Sequence, residues 1–229
     1  NLINDNCHSM GSAINNDIGY ASKYADMVSL SFHPVKAITT GEGGAILTNN
    51  KKFDLKAKLL RSHGIERNDK TFWSYEVNSL GYNFRLPDIN CALGISQLKK
   101  LNKFVNKRKK IANIYNNSFK NISVLKIPNN IKYNQNSYHL YPLLIKLKKL
   151  KKNKKKIIKE FLKNNIKLQV HYIPVNSQPY YKKKYGLVKK KFKNSFLFFN
   201  EVISLPIFYD LDNNKIKYIL KVCKKIFKI

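Results

Sequence analysis

One lysine has a placing in this chain that could do chemistry. From Tyr24 to Asn50 the sequence reads YADMVSLSFHPVKAITTGEGGAILTNN, and Lys36 is its single lysine. The chain as a whole carries 40 of them, its 44 basic residues less Arg61, Arg67, Arg85 and Arg108. A primary amine desolvated on a tight segment loses its proton and becomes a nucleophile. Two further windows exclude lysine. Residues 1–22 hold Asp5 and His8, and residues 71–98 hold Arg85 as their only base. Taken singly these residues have ordinary readings: Asp5 as a helix cap or turn residue, His8 as a polar contact, Ser31 as a strand serine, and Arg85 as a surface ion-pair partner.

The elements that must position Lys36 follow from its flanks. Met27 to Phe32 is a short apolar run with serines, predicting a strand. Pro34 cannot donate to a ladder and biases His33 towards extended geometry, so the strand stops there. Thr39-Thr40-Gly41-Glu42-Gly43-Gly44 is a turn segment, and Ala45 to Thr48 is a second strand. Lys36 is therefore expected on a tight excursion between two buried strands, with His33 structural. Leu2-Ile3 ends another strand, which places Asp5 at a carboxyl end, where ligands bind in open α/β sheets. Residues 51–63 predict an amphipathic helix, and 64–80 a polar connection containing Trp73 and Tyr75. Pro87-Asp88 opens a long helix to about Phe119. Strands are predicted at 138–147, 166–173 and 202–208. Helices are predicted at 151–164, 193–201 and 213–228, with Lys151 to Lys156 a solvated run. This alternation indicates an α/β fold, with residues 1–119 as part of a large domain plus a connecting helix and 120–229 as a small αβ domain.

With 43% hydrophobic residues in 229, the chain has enough apolar material for one large domain or two modest ones. A net charge of +31 suggests nucleic acid or an anionic surface. Yet 33 of the 40 lysines fall from Lys99 onward, with no nucleic-acid-binding motif beside them. Joint over-use of Lys, Asn and Ile fits an AT-rich coding sequence acting on tolerant surface positions, so no specific nucleic-acid partner is expected. Cys7, Cys91 and Cys223 form no paired framework, which fits a reducing, cytoplasmic setting. The most apolar run, Phe196 to Tyr209, is too short and too interrupted to span a membrane, so no membrane partner is expected. The charge keeps open a rival class, a non-catalytic basic binding protein or an inactive remnant.

The segments S-F-H-P-x-K and T-T-G-E-G-G resemble the Schiff-base lysine region of the DegT/DnrJ/EryC1/StrS sugar aminotransferases. Three further blocks match that family in order: L-I-N-D-N-C-H-S-M-G at 2–11, G-Y-N-F-R-L-P-D-I-N-C-A-L-G-I-S-Q-L at 81–98, and Q-V-H-Y-I-P-V at 169–175. The resemblance implies a fold-type-I transferase of the aspartate aminotransferase kind, with pyridoxal 5'-phosphate as cofactor. It assigns Lys36 the catalytic and cofactor-holding role. Asp5 falls to the pyridinium nitrogen, His8 to the cofactor ring or its 3-oxygen, and Ser31 to the phosphate. Asn83 would reach the phosphate in a neighbouring subunit's site, which implies a homodimer with shared active sites. Arg85 is placed for the donor's carboxylate or a nucleotide phosphate. His171 is placed for the mouth of the site, with core packing as the alternative.

By the same resemblance the reaction moves nitrogen from L-glutamate to a nucleotide-linked 4-keto-6-deoxy sugar, such as a UDP-4-keto-6-deoxy-HexNAc, in surface-glycan biosynthesis. Related dehydratases carry histidine at the lysine position, so lysine implies transamination. The family pattern also has sequence ahead of the block at 2–11, including a phosphate-capping loop and a ring-stacking aromatic. The chain is therefore expected to be the C-terminal part of a longer enzyme and to be inactive alone.

Overall fold

The structure, a computed structural model, describes residues 1–67, 71, 73–129, 134–186 and 192–229. It has two compact units, Asn1–Val105 with Ile131–Ser137, and Asn106–Asn130 with Tyr138–Ile229.

In the first unit β1 (Ile3–Asp5) is followed by β2 (Ala13–Ile14), α1 (Tyr20–Tyr24), β3 (Met27–Ser31) and β4 (Gly44–Leu47). The sheet order is β1-β3-β4. β1 and β3 are parallel with Asp5 opposite Ser29, and β3 and β4 are antiparallel with Ser31 opposite Gly44. Asp5 and Ser31 thus stand at the carboxyl ends of neighbouring parallel strands. Gly44 makes the β3–β4 approach possible, since a Cβ there would lie 2.6 Å from the Leu30 carbonyl oxygen. Of the two strands expected to be buried, β3 has Val28 buried, whereas β4 pairs with β3 alone among the described residues and has Ile46 57% exposed.

α2 (Lys51–Arg61) begins where the Asn50 side chain accepts from the N–H groups of Lys52 and Phe53, at 2.9 and 3.3 Å. The predicted connection over 64–80 instead contains an antiparallel ladder, β5 (Ile65–Arg67) with β6 (Tyr75–Val77); residues 68–70 and 72 of it lie outside the described residues. Three-residue strands are too short for a period-2 signal to stand out. The predicted single helix from Asp88 is two, α3 (Asp88–Leu98) and α4 (Leu101–Phe119). The break has a local cause. Lys100 N–H donates to Gln97 O at 2.9 Å, an i→i−3 bond that tightens the turn and interrupts the α ladder.

α4 starts in the first unit and ends in the second, so the division falls at Val105/Asn106 and not after Phe119. The reason is packing: Ile111, Ala112, Tyr115 and Phe119 belong to the second unit's core. After β7 (Leu125–Lys126), β8 (Asn134–Gln135) pairs with β2 in the first unit. Gln135 Nε2 donates to Asn16 Oδ1 at 2.6 Å, and Ser12 Oγ to Ser137 Oγ at 3.0 Å.

The rest of the second unit runs through β9 (Tyr141–Ile145), α5 (Leu147–Leu150), α6 (Lys154–Lys163), α7 (Pro179–Tyr185), α8 (Lys193–Glu201), β10 (Val202–Leu205) and α9 (Asn213–Phe227). Its sheet order is β10-β9-β7, antiparallel throughout. α9 starts at Asp212, whose side chain accepts from Lys215 N–H at 2.8 Å, and buries Ile216, Ile219, Cys223, Ile226 and Phe227 on one face. The strand predicted at 166–173 reduces to one bridge, Gln169 with Ser204. The lysine run is not wholly solvated either. Lys152 Nζ pairs with Glu160 at 2.7 Å and donates to Ile226 O at 2.8 Å, and Lys154 Nζ donates to Phe199 O. Long apolar stems let lysine heads reach inward to helix carbonyls. Among the described residues no helix is long and apolar enough to cross a membrane.

Candidate active site

Lys36 lies on the excursion that joins β3 to β4, and backbone bonds close it tightly. Phe32 N–H donates to Gly43 O at 2.8 Å, Thr40 N–H to Phe32 O at 3.0 Å, and Lys36 N–H to His33 O at 2.9 Å. Thr39 Oγ1 donates to Phe32 O at 3.0 Å and accepts from Gly41 N–H at 2.9 Å. The chain reverses through Gly41 at φ +84°, which glycine adopts without strain. Ala37, Ile38 and Thr40 are buried, and Lys36 itself is half-buried. His33 turns to its own excursion: its Nδ1 accepts from Val35 N–H at 3.4 Å, and its Nε2 lies 3.7 Å from Glu42 Oε1.

Asp5, Cys7 and His8 meet Lys36 electrostatically. The Asp5 carboxyl is held below its usual range, first by hydrogen bonding from the Cys7 thiol and then from the Cys7 N–H, which reaches Asp5 Oδ1 at 3.1 Å. The positive charges of His8 and Lys36 add to this. Burial, and after it Asp5, push the Cys7 thiol up; its Sγ lies 3.7 Å from Ser29 Oγ. Desolvation, and after it the Lys36 charge, push the His8 imidazole down, while Asp5 opposes them. The site therefore holds an anion beside a lysine, at the carboxyl ends of two parallel strands.

Ser31 closes β3 half-buried, and its Oγ accepts from His33 N–H at 3.5 Å. Asn83 is exposed and bridges to Ser62 beyond the end of α2, where Tyr82 N–H donates to Leu60 O and Phe84 N–H to Arg61 O, both at 2.9 Å. Arg85 is exposed on the next turn of chain. His171 belongs to the second unit, where its Nδ1 lies 2.9 Å from the Oγ of buried Ser204 and its ring meets Tyr172 edge-on. Among the described residues no group of three or more His, Cys, Asp or Glu side chains could hold a metal ion.

A family model, the DegT/DnrJ/EryC1/StrS aminotransferase family, matches residues 1–224. The chain belongs to this family. A Campylobacter jejuni family protein named UDP-4-amino-4,6-dideoxy-N-acetyl-beta-L-altrosamine transaminase is 38% identical over 221 residues, 95% of this chain and 56% of the relative. Helicobacter pylori PseC, described as an aminotransferase of pseudoaminic acid biosynthesis, superposes with a TM-score of 0.90 at 35% identity, over 99% of this chain and 59% of that one. Streptococcus pneumoniae Spr1654 in its PMP-form superposes with a TM-score of 0.89 at 26% identity, over 99% and 58%. The chain thus spans a little over half the length of these family members, and its fold is that of the fold-type-I sugar aminotransferases.

The residues present fit the cofactor of the family, pyridoxal 5'-phosphate. A pyridinium nitrogen needs a carboxylate that stays ionised, which Cys7 secures for Asp5. A phosphate needs a hydroxyl donor at a strand end, which Ser31 offers, and an aldehyde needs an amine, which Lys36 offers. Two contacts of the site were not legible from sequence. Cys7 reads there as a lone thiol, because its hold on Asp5 is a local turn that no residue type announces. Asn90, whose Nδ2 donates to Thr40 O at 2.5 Å, lies 50 positions from its partner.

Proposed function

We propose that this protein transfers an amino group from L-glutamate to the 4-keto carbon of a nucleotide-linked 4-keto-6-deoxy sugar, with UDP-4-keto-6-deoxy-HexNAc as the acceptor. The observation that carries this reading is the electrostatic meeting of Asp5, His8 and Lys36 at the carboxyl ends of β1 and β3, in a chain of a sugar aminotransferase family. When bound, pyridoxal 5'-phosphate supplies the electron sink through which an amino group and a proton are exchanged between donor and acceptor carbons.

This chain's own residues then have distinct tasks. Lys36 Nζ would hold the cofactor and act as general base and acid, taking a proton from one carbon and returning it to another. Asp5, held anionic by Cys7, would serve the ring nitrogen. His8, pushed towards its neutral form beside Lys36, would serve the ring or its 3-oxygen without adding a second cation. The Ser31 hydroxyl would serve the phosphate. Arg85 offers a planar pair of donors to a carboxylate or phosphate. Asn83 completes the phosphate site of a second copy, which makes the working protein a homodimer. Three free thiols support a reducing, cytoplasmic setting.

The test is direct. The full-length protein, incubated with pyridoxal phosphate and treated with borohydride, should carry a pyridoxyl group on Lys36 by peptide mapping. With L-glutamate and the UDP-4-keto sugar it should release 2-oxoglutarate and the 4-amino sugar. A pyridoxyl group on another lysine, or no glutamate-dependent product, would overturn the proposal.

A further inference from the structure

Thr40 sits in a socket that joins the lysine excursion to α3. It is 2% exposed, its Oγ1 donates to Glu42 O at 2.7 Å, and its carbonyl accepts from Asn90 Nδ2. The socket depends on two glycines. A Cβ at Gly43 would lie 2.5 Å from Thr40 Oγ1 and 3.0 Å from Leu86 Cδ1, and a Cβ at Gly94 would lie 2.9 Å from Thr40 Cγ2. Asn90 and Gly94 occupy one face of α3 at i and i+4 spacing. The stretch from Lys36 to Gly41 is tied to the end of β3 by Thr40 N–H and Thr39 Oγ1, which both donate to Phe32 O, and to α3 by the Asn90 side chain.

From this we infer that Asn90 is a positioning residue for Lys36: its amide latches the excursion to α3 and fixes the lysine beside Asp5 and His8. The inference rests on the reading of Lys36 as the functional amine, but it concerns the protein before any cofactor binds. Two consequences follow. Without the latch the Thr40 amide should open more often. Lys36 should also spend less time near His8, whose imidazole its charge pushes down.

The experiment compares the full-length protein with Asn90→Ala, Asn90→Gln and Gly94→Ala, without cofactor. Hydrogen exchange should show protection of the Thr40 amide falling about five- to tenfold in Asn90→Ala, as for the loss of one net hydrogen bond. Asn90→Gln, which keeps the amide donor, should recover part of it. In NMR titrations the His8 midpoint should move up in Asn90→Ala and back in Asn90→Gln. Gly94→Ala keeps the Asn90 amide but sets a Cβ 2.9 Å from Thr40 Cγ2, so it displaces Thr40 by sterics alone. Faster Thr40 exchange there is expected on any reading; the inference requires that the His8 midpoint move up with it. An unchanged His8 midpoint, or a loss of protection spread evenly over the first unit, overturns the inference. Because these readouts need no pyridoxal phosphate, they fail or succeed independently of borohydride trapping at Lys36.

Discussion

Lys154 gives the sharpest test of how this lysine-rich second unit is held together. Its Nζ donates to Phe199 O near the C-terminal end of α8 and stands 4.5 Å from the centre of the Phe199 ring. Burial pulls its ammonium down to about 8 from an ordinary 10.5. That gap sets a ceiling of about 3 kcal/mol. The head group keeps part of its water, and the carbonyl and ring face both favour the charged form, so about 1–2 kcal/mol is the magnitude to expect. The sign follows from proton counting. Below pH 8 folded and unfolded chains both hold the proton, and the folded state bears the whole burden. Between about 8 and 10.5 the unfolded chain holds more protons, so stability rises with pH, and above 10.5 the burden is gone. The assay uses Cys223, fully buried in the same core, where the ring of Phe227 in α9 lies tilted 5.9 Å from that of Phe161 in α6. Its thiol, pushed up to about 12 by burial, reacts only when the core opens. The labelling rate at Cys223 is compared between the protein and Lys154→Met at each pH, which cancels thiol ionisation. From pH 8 to 10.5 the ratio of parent to variant rates should fall about five- to thirtyfold. A ratio that stays flat refutes the reasoning, because Lys154 would then be as solvated as its neighbours.

Three other outcomes are expected. Asp5→Asn should abolish pyridoxal phosphate retention at every pH. In the parent, because the folded carboxyl is held below its usual range, retention should persist at pH 5 and be lost only as pH falls through that lowered value; equilibrium dialysis with absorbance decides it. Arg108→Met should destabilise the protein by about 2–4 kcal/mol in urea unfolding. It leaves the carbonyls of Ile207, His139 and Tyr138 without the guanidinium they accept from at 2.7, 3.2 and 3.4 Å; a change under half that would show that relief of the buried charge outweighs the lost bonds. Nucleic-acid binding should be weak, indifferent to sequence and steeply lost with salt in filter-binding titrations, because the lysines of the second unit are accompanied by no nucleic-acid-binding motif and can offer only screened charge.

Much of the site is a local property and was therefore legible in the chain. An apolar run stopped by His33-Pro34, then Thr39 to Gly44, can only be a strand, a short excursion and a return, and β3 and β4 frame Lys36 as that pattern requires. The helices at 51 and 213 announce themselves by caps and periodicity, because those signals are read within a turn or two of chain. What joins distant segments was not legible. The parallel pairing that brings Asp5 level with Ser29 depends on register, and the Asn90 bond to Thr40 spans 50 positions. The two-residue break at Lys99-Lys100, the short ladder of β5 with β6, and the division at Val105 each follow from which core a side chain enters or which carbonyl an amide meets. Residue type constrains a neighbourhood of a few positions; partners across tens of positions exist only once the chain has packed, and there the tertiary structure alone decides.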